Sequence, residues 1–351
     1  MTAEIRTDLS RMQGYHSQQV EVDVRLNTNE SPEPPPAAFV DALAALVKRV
    51  EFHRYPDRAA SDLRAAIAAF HGVASENVFA ANGSNEVLQC LLLAFGGPGR
   101  SVLVFEPTYA LHSHIAHITG TKVIEAGRND DFTLAPEAVR AAVGAHDPTI
   151  TFLCSPNNPT GLIESPEVLD AAVAASNGLV VVDEAYGQFS SWSAIDRVVD
   201  DGQVVVVRTF SKTWSMAALR LGYAIAPANV VAALDAVVLP YHLDAIKQAA
   251  GVLAFEFKAE METRVAAIKE ERGRLLVGLA DLDVQVWPSQ SNFILFRPHT
   301  DAIVVWQRLV EHSVLVRDCS TWPGLTGCLR VTVGTPAENI QFLSAMKEAL
   351  A

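Results

Sequence analysis

The stretch LVVVDEAY, Leu179 to Tyr186, decides the reading of the fold. Its opening run of Leu179, Val180, Val181 and Val182 is short and β-branched, with no polar residue to face solvent. That is the pattern of a strand covered on both faces of a parallel sheet. The run stops at an acid, Asp183. In a doubly covered α/β sheet the carboxyl ends of the strands open onto the ligand crevice, so a polar residue directly after such a run stands where ligands bind. Working outward, the pattern repeats in SVLVF at 101, TITFL at 149 and VVVVR at 204, with alanine-rich helical segments between them from about residue 36 to 226. TITFL leads into SPNNPTG, Ser155 to Gly161, and VVVVR leads into TFSK, Thr209 to Lys212, with Arg220 following.

Beyond residue 226 the rhythm changes. A long helical stretch over roughly 244–280 precedes shorter strand candidates, VQVW at 284, NFILF at 292, VLV at 314 and LRVTV at 329. Helices are expected near 301–312 and 336–350, and together these read as a smaller α+β unit. The first 30 residues have no strong periodicity. SPEPPP at 31–36 is a stiff connector, because each proline fixes φ and disfavours helix in the residue before it. At 351 residues the chain suggests two domains.

A formal charge of -13 argues against nucleic acid and anionic membranes as partners. No apolar run approaches the roughly 20 residues needed to span a bilayer. The opening MTAEIRTDLSRMQGYH resembles neither a signal nor a transit peptide, so the expected location is cytoplasmic. The same negative field repels phosphate esters, which local arginines and helix N-termini would have to overcome. Cys90, Cys154, Cys319 and Cys328 show no CxxC spacing and read as reduced, mostly structural thiols. GxGxxG, GxxxxGK[ST] and GxSxG are all missing from the chain.

The polar residues at the strand ends supply what a pyridinium cofactor requires. A lysine near a phosphate and an aromatic cation has its ammonium destabilised, so it can form an imine and move protons. An aspartate paired with a protonated ring nitrogen keeps the ring an electron sink. A tyrosine and an asparagine can hydrogen-bond a phenolic oxygen, while hydroxyls, an arginine and the glycine turn of NGSNE, Asn82 to Glu86, can hold a phosphate. Taken singly, each has a structural explanation: Asp183 as a helix cap, NNPTG as a turn, Tyr109 as a packing aromatic. His112, His114 and His117 lack a carboxylate and the spacing of a metal site, and are expected to pack half exposed with no metal.

The ordered set NNPTG, DEAY and TFSK with its following arginine resembles the fold-type I, class I/II pyridoxal-phosphate-dependent aminotransferases over nearly the whole chain. LNTNESP at 26, RYPD at 54, GSNE at 83 and VLVRDCSTWPGLTGCLRVTVGTPAEN near the C-terminus are similar to the histidinol-phosphate aminotransferases among them. The resemblance implies an α/β large domain over 36–243 with a mostly parallel seven-stranded sheet. It also implies an N-terminal arm over 1–35 that contributes to a small domain, completed by residues 244–351. It implies pyridoxal 5'-phosphate as cofactor, with Lys212 binding it covalently and moving the substrate α-proton. Asp183 would pair the ring nitrogen, Asn158 and Tyr186 would hold the phenolic oxygen, and Tyr109 would stack on the ring. Ser84, Asn85, Thr209, Ser211 and Arg220 would surround the phosphate, with Tyr55 reaching in from the second subunit of a homodimer. Arg330 would bind the carboxylate of glutamate or the substrate phosphate, Arg317 would assist, Asn158 would also face substrate, and Tyr15 would close over it.

The implied reaction exchanges an amino group between glutamate/2-oxoglutarate and histidinol phosphate/imidazole-acetol phosphate. Phenylalanine as amino donor is the first alternative, and a phosphothreonine decarboxylase-like lyase the second. A cofactor-binding transcription regulator would need a DNA-binding domain, and no basic helix-turn-helix precedes residue 30. Ser31 stands where the family often has asparagine, and Asn85 where it often has aspartate, which removes a negative charge near the phosphate.

Overall fold

A computed structural model describes residues 4–10, 12, 14 and 18–351. Twelve strands occur among them: β1 Val24–Leu26, β2 Val78–Ala81, β3 Ser101–Glu106, β4 Lys122–Gly127, β5 Ile150–Cys154, β6 Leu179–Asp183, β7 Val204–Thr209, β8 Gly222–Ile225, β9 Val284–Val286, β10 Phe293–Pro298, β11 Val314–Asp318 and β12 Leu329–Thr332. Seven form one sheet in the order β2-β8-β7-β6-β5-β3-β4, parallel except that β8 runs against both of its neighbours. The other five form a sheet ordered β1-β11-β12-β10-β9, antiparallel apart from the β1/β11 pair.

The apolar runs of β5, β6 and β7 are buried at every residue. Alternation divides their side chains between the two faces: Val180, Val182 and Val206 join one core, Val181, Val205 and Val207 the other. Helix Ser84–Phe95 covers the second face through Val87, Leu88, Leu91 and Leu92. Helices Ser61–His71, Pro136–His146 and Pro166–Ala175 cover the first through Leu63, Ile67, Val139, Val143, Val168 and Leu169. The smaller sheet is backed by the C-terminal helix Pro336–Leu350, which starts in a capping box between Thr335 and Glu338.

Three sequence expectations are corrected. The helical stretch near 244–280 is two helices, Ala245–Ala254 and Lys258–Ala280, separated by a 3-10 turn at Phe255–Phe257. The histidines of helix Leu111–Ile118 are not half exposed alike: His112 is fully buried while His117 faces solvent, because only the first lies on the face turned to the sheet. No helix starts at Asp183, so the capping explanation of that acid falls. Among the described residues no helix is long and apolar enough to cross a membrane, and no cluster of three or more His, Cys, Asp or Glu is arranged for a metal.

Candidate active site

Because β5, β6 and β7 are parallel neighbours, their carboxyl ends lie side by side: Cys154 is in register with Asp183, and Asp183 with Val207. The chain then turns into the catalytic candidates from each strand. Above these ends lies a cavity of about 410 Å³. Eleven of the residues singled out in the sequence line it: Ser84, Asn85, Tyr109, Asn158, Asp183, Tyr186, Thr209, Ser211, Lys212, Arg220 and Arg330. Arg317 is not among the residues lining the cavity; it stands beside Arg330, its register partner across β11 and β12. Tyr55 does not reach the cavity of its own chain; its exposed ring stacks on Tyr241 with centroids 4.4 Å apart. Tyr15 lies outside the described residues.

At one end of the cavity the Ser84–Phe95 helix begins. Gly83 precedes it at φ 78, a left-handed backbone that favours glycine, and a Cβ there would come within 2.8 Å of Arg220 Nη2. Gly222 allows an equally close approach, since a Cβ on it would sit 2.3 Å from the Ser84 amide nitrogen. The two glycines thus bring an arginine against a helix N-terminus, whose first N–H groups have no intrahelical acceptor. Arg220 Nη1 donates to Ser211 Oγ at 3.4 Å, and Thr209 Oγ1 donates to Ser211 Oγ at 3.0 Å. The donors gathered at this end suit an anion such as a phosphate, and they set local positive charge against the negative charge of the whole chain.

At the floor, Asp183 is 1% exposed. Its Oδ1 accepts from the Ala185 amide at 3.0 Å, and its Oδ2 lies 3.0 Å from His112 Nε2, which donates to the carboxylate. His112 is in turn stacked on Phe152, with centroids 4.6 Å apart. The sequence alone gives His112 no role; the signal that it belongs here is its place on the helix three residues after Tyr109, facing the sheet.

The roof comes from the N-terminal arm. Asn29 Nδ2 donates to the Tyr186 hydroxyl at 2.9 Å, and Thr332 Oγ1 donates to Asn29 Oδ1 at 3.2 Å. Lys212 Nζ donates to the Thr28 carbonyl at 3.2 Å and lies 5.6 Å from the centre of the Tyr186 ring. Arg330 donates to Asn158 Oδ1, and to the Asn27 carbonyl at 3.1 Å. Thr28 and Asn29 are visible in the sequence only as part of a motif: Thr28 acts through its backbone carbonyl, which leaves no side-chain signature, and the partners of the Asn29 amide, Tyr186 and Thr332, are 157 and 303 residues away. Burial pushes the Tyr186 phenol well above its ordinary value.

Burial, helped by the positive charge of Arg330, pulls the Lys212 ammonium down from 10.5 to about 7, against the opposing pull of Glu30. A depressed ammonium value means the neutral amine, the nucleophile, predominates above that pH. Covalent attachment of pyridoxal 5'-phosphate to the cofactor-free chain is therefore expected to accelerate up to about pH 7–8 and then level off. Stopped-flow absorbance checks this, and a rate still rising tenfold per pH unit through about pH 9 would contradict it.

The pattern of the aminotransferase class I and II family matches residues 21–346. A histidinol-phosphate aminotransferase from Frankia casuarinae is 44% identical over 361 residues, covering 99% of this chain and 90% of that protein. One from Mycolicibacterium vanbaalenii is 42% identical over 355 residues, 97% of this chain and 94% of that protein. The crystal structure of histidinol-phosphate aminotransferase from Sinorhizobium meliloti in complex with pyridoxal-5'-phosphate shares the fold. Its TM-score is 0.87 at 24% identity, covering 94% of this chain and 91% of that one. With the cavity built as described and the family pattern spanning both sheets, the chain belongs to the class I and II aminotransferases.

Proposed function

We propose that this chain is a pyridoxal-phosphate-dependent aminotransferase that passes an amino group between glutamate/2-oxoglutarate and histidinol phosphate/imidazole-acetol phosphate. The observation that carries the reading is one cavity that holds a lysine with a depressed ammonium value, a buried acid and a group of donors suited to a phosphate. The curated relatives, histidinol-phosphate aminotransferases at 42–44% identity, support the substrate.

Pyridoxal 5'-phosphate supplies an electron-withdrawing pyridinium that takes up the electron pair left when the substrate α-hydrogen departs as a proton. Ser84, Asn85, Thr209, Ser211 and Arg220 would hold its phosphate. Asp183 would hold a proton on the ring nitrogen, kept in place by His112 and the Ala185 amide. Asn158 and Tyr186 would fix the phenolic oxygen, and Tyr109 would flank the ring. Lys212, its amine freed, would take the substrate α-proton on Nζ and carry it between the two carbons that flank the transferred nitrogen. Arg330 would bind a substrate anion with a planar fork that a lysine lacks. The 27–30 segment shields Lys212 from water.

A two-fold homodimer is part of the reading. Tyr55 is 79% exposed, away from its own cavity and stacked on exposed Tyr241, a surface suited to a second copy. Sedimentation of a fully active monomer would refute it. In this reading residues 36–243 carry the cofactor, and residues 1–35 with 244–351 form the smaller unit and carry the substrate arginines. A biosynthetic role in the cytoplasm goes with it.

The test is a set of half-reactions with the holoenzyme and histidinol phosphate, phenylalanine or phosphothreonine in turn, following cofactor absorbance, keto product and carbon dioxide. Rapid conversion by histidinol phosphate without carbon dioxide is expected. Conversion by phenylalanine alone would move the substrate to the aromatic amino acids, and carbon dioxide from phosphothreonine would move the reaction class.

A further inference from the structure

Arg317 and Arg330 are register partners on the antiparallel strands β11 and β12, and they are 8% and 4% exposed. Like charges directly opposite each other in a sheet repel, and burial sharpens that repulsion. The Arg330 guanidinium donates to neutral oxygens, those of Asn158 and Asn27. What the two arginines share is an aromatic ring: Trp322 lies 5.4 Å from Arg317 Cζ and 5.9 Å from Arg330 Cζ.

Trp322 sits on the loop joining the two strands, and that loop is built to hold it. Cys319 N donates to the Cys328 carbonyl at 3.0 Å at the loop's base, and Trp322 N donates to the Cys319 carbonyl at 3.0 Å. Leu325 N donates to the Trp322 carbonyl at 3.1 Å. Leu325 is fully buried, and Trp322 packs against the cluster it anchors.

An indole is a particular choice of brace. Its face attracts each cation through its quadrupole and, unlike a carboxylate, adds no negative charge to compete with an incoming anion. Resting on the proposed substrate, we propose that Trp322 is a positioning residue that holds Arg317 and Arg330 as one preorganised clamp for a dianion, and so sets the preference for a phosphate-bearing substrate over one carrying carboxylates only. A phosphate monoester brings nearly two charges and three acceptor oxygens, enough to engage two forks, whereas a carboxylate is matched by one.

The experiment uses the holoenzyme and its Trp322→Ala and Trp322→Phe variants. Trp322→Ala is expected to lower kcat/KM for histidinol phosphate about tenfold, mostly through KM, and that for glutamate less than about threefold. Trp322→Phe, which keeps an aromatic face, is expected to recover most of the loss. Calorimetric titration with inorganic phosphate reads the clamp without turnover, and its affinity is expected to drop about tenfold in Trp322→Ala. Equal losses for both substrates, or unchanged phosphate affinity, overturn the proposal, since a purely structural role would not separate a dianion from a carboxylate. If the wild-type enzyme leaves histidinol phosphate unconverted, the proposed function fails instead, and the phosphate titration still decides the clamp.

Discussion

Lys212→Ala is expected to lower turnover by about 10⁴-fold or more, the upper end of what one positioned proton-transfer group contributes, while leaving the fold intact. The amine is asked to do two things that no neighbour can take over. In the proposed reaction it would attach the cofactor and carry a proton between two carbon atoms. The other cations lining the cavity are Arg220 and Arg330, and a guanidinium does not give up its proton in this pH range. Lys212→Arg is therefore expected to be as inactive as the alanine variant although it keeps the charge. Folding is a separate matter. The ammonium value falls from 10.5 unfolded to about 7 folded, so between those pH values the unfolded chain binds more protons, and stability rises with pH across that window. At neutral pH the lysine thus costs the folded chain stability, and its removal is not expected to lower the unfolding temperature of the cofactor-free protein. Steady-state rates beside a circular-dichroism melt check both halves, and a folded variant with wild-type turnover would sink the assignment of Lys212.

What makes this site legible in the sequence is the coincidence of two patterns, an apolar run and a polar stop. Asp183, Lys212 and Asn158 each follow a run buried at every position, and such runs are hard to read as anything but central parallel strands. The strands that leave no clear mark are those where the pattern fades. At the sheet edge β4 is half exposed and reads KVIEAG, while β2 and β8 are four residues each and dilute their apolar character with alanine and glycine. Three-residue β1 is obscure for a further reason: it lies in a segment without periodicity and pairs with β11, 290 residues away, so local sequence holds no trace of its partner. The same blindness to distance hides His112. Nothing near residue 112 announces a carboxylate 71 positions later, and only the folding of the Leu111–Ile118 helix onto the end of β6 brings the two together. Trp322 is hidden likewise, since its two arginines are neighbours through strand pairing.

The second large effect is expected at Asp183. Asp183→Asn keeps the volume of the side chain and leaves an oxygen to accept the Ala185 amide, but it removes the charge that would hold a proton on the pyridine nitrogen. Without that proton the ring withdraws electrons poorly, and the loss falls on the step in which the α-proton leaves. A drop in kcat of about 10²–10³-fold follows by comparison with the removal of one preorganised electrostatic contact elsewhere. The substitution also disturbs His112: with the amide oxygen kept by Ala185, the amide NH2 faces Nε2, which can accept from it only if the ring proton moves to Nδ1, a buried nitrogen without a hydrogen-bond partner. Asp183→Ala strips both hydrogen bonds and leaves a buried imidazole nitrogen unsatisfied, a cost of about 1–3 kcal/mol. The two variants therefore separate charge from scaffolding: both are expected to be slow, and the alanine variant alone clearly less stable. An α-deuterated substrate supplies the deciding measurement. If Asp183 governs the electron sink, proton removal becomes more fully rate-limiting in Asp183→Asn, and the isotope effect on kcat rises. An isotope effect unchanged from the wild type, with kcat reduced, would instead place the defect in binding or release and remove Asp183 from the chemistry.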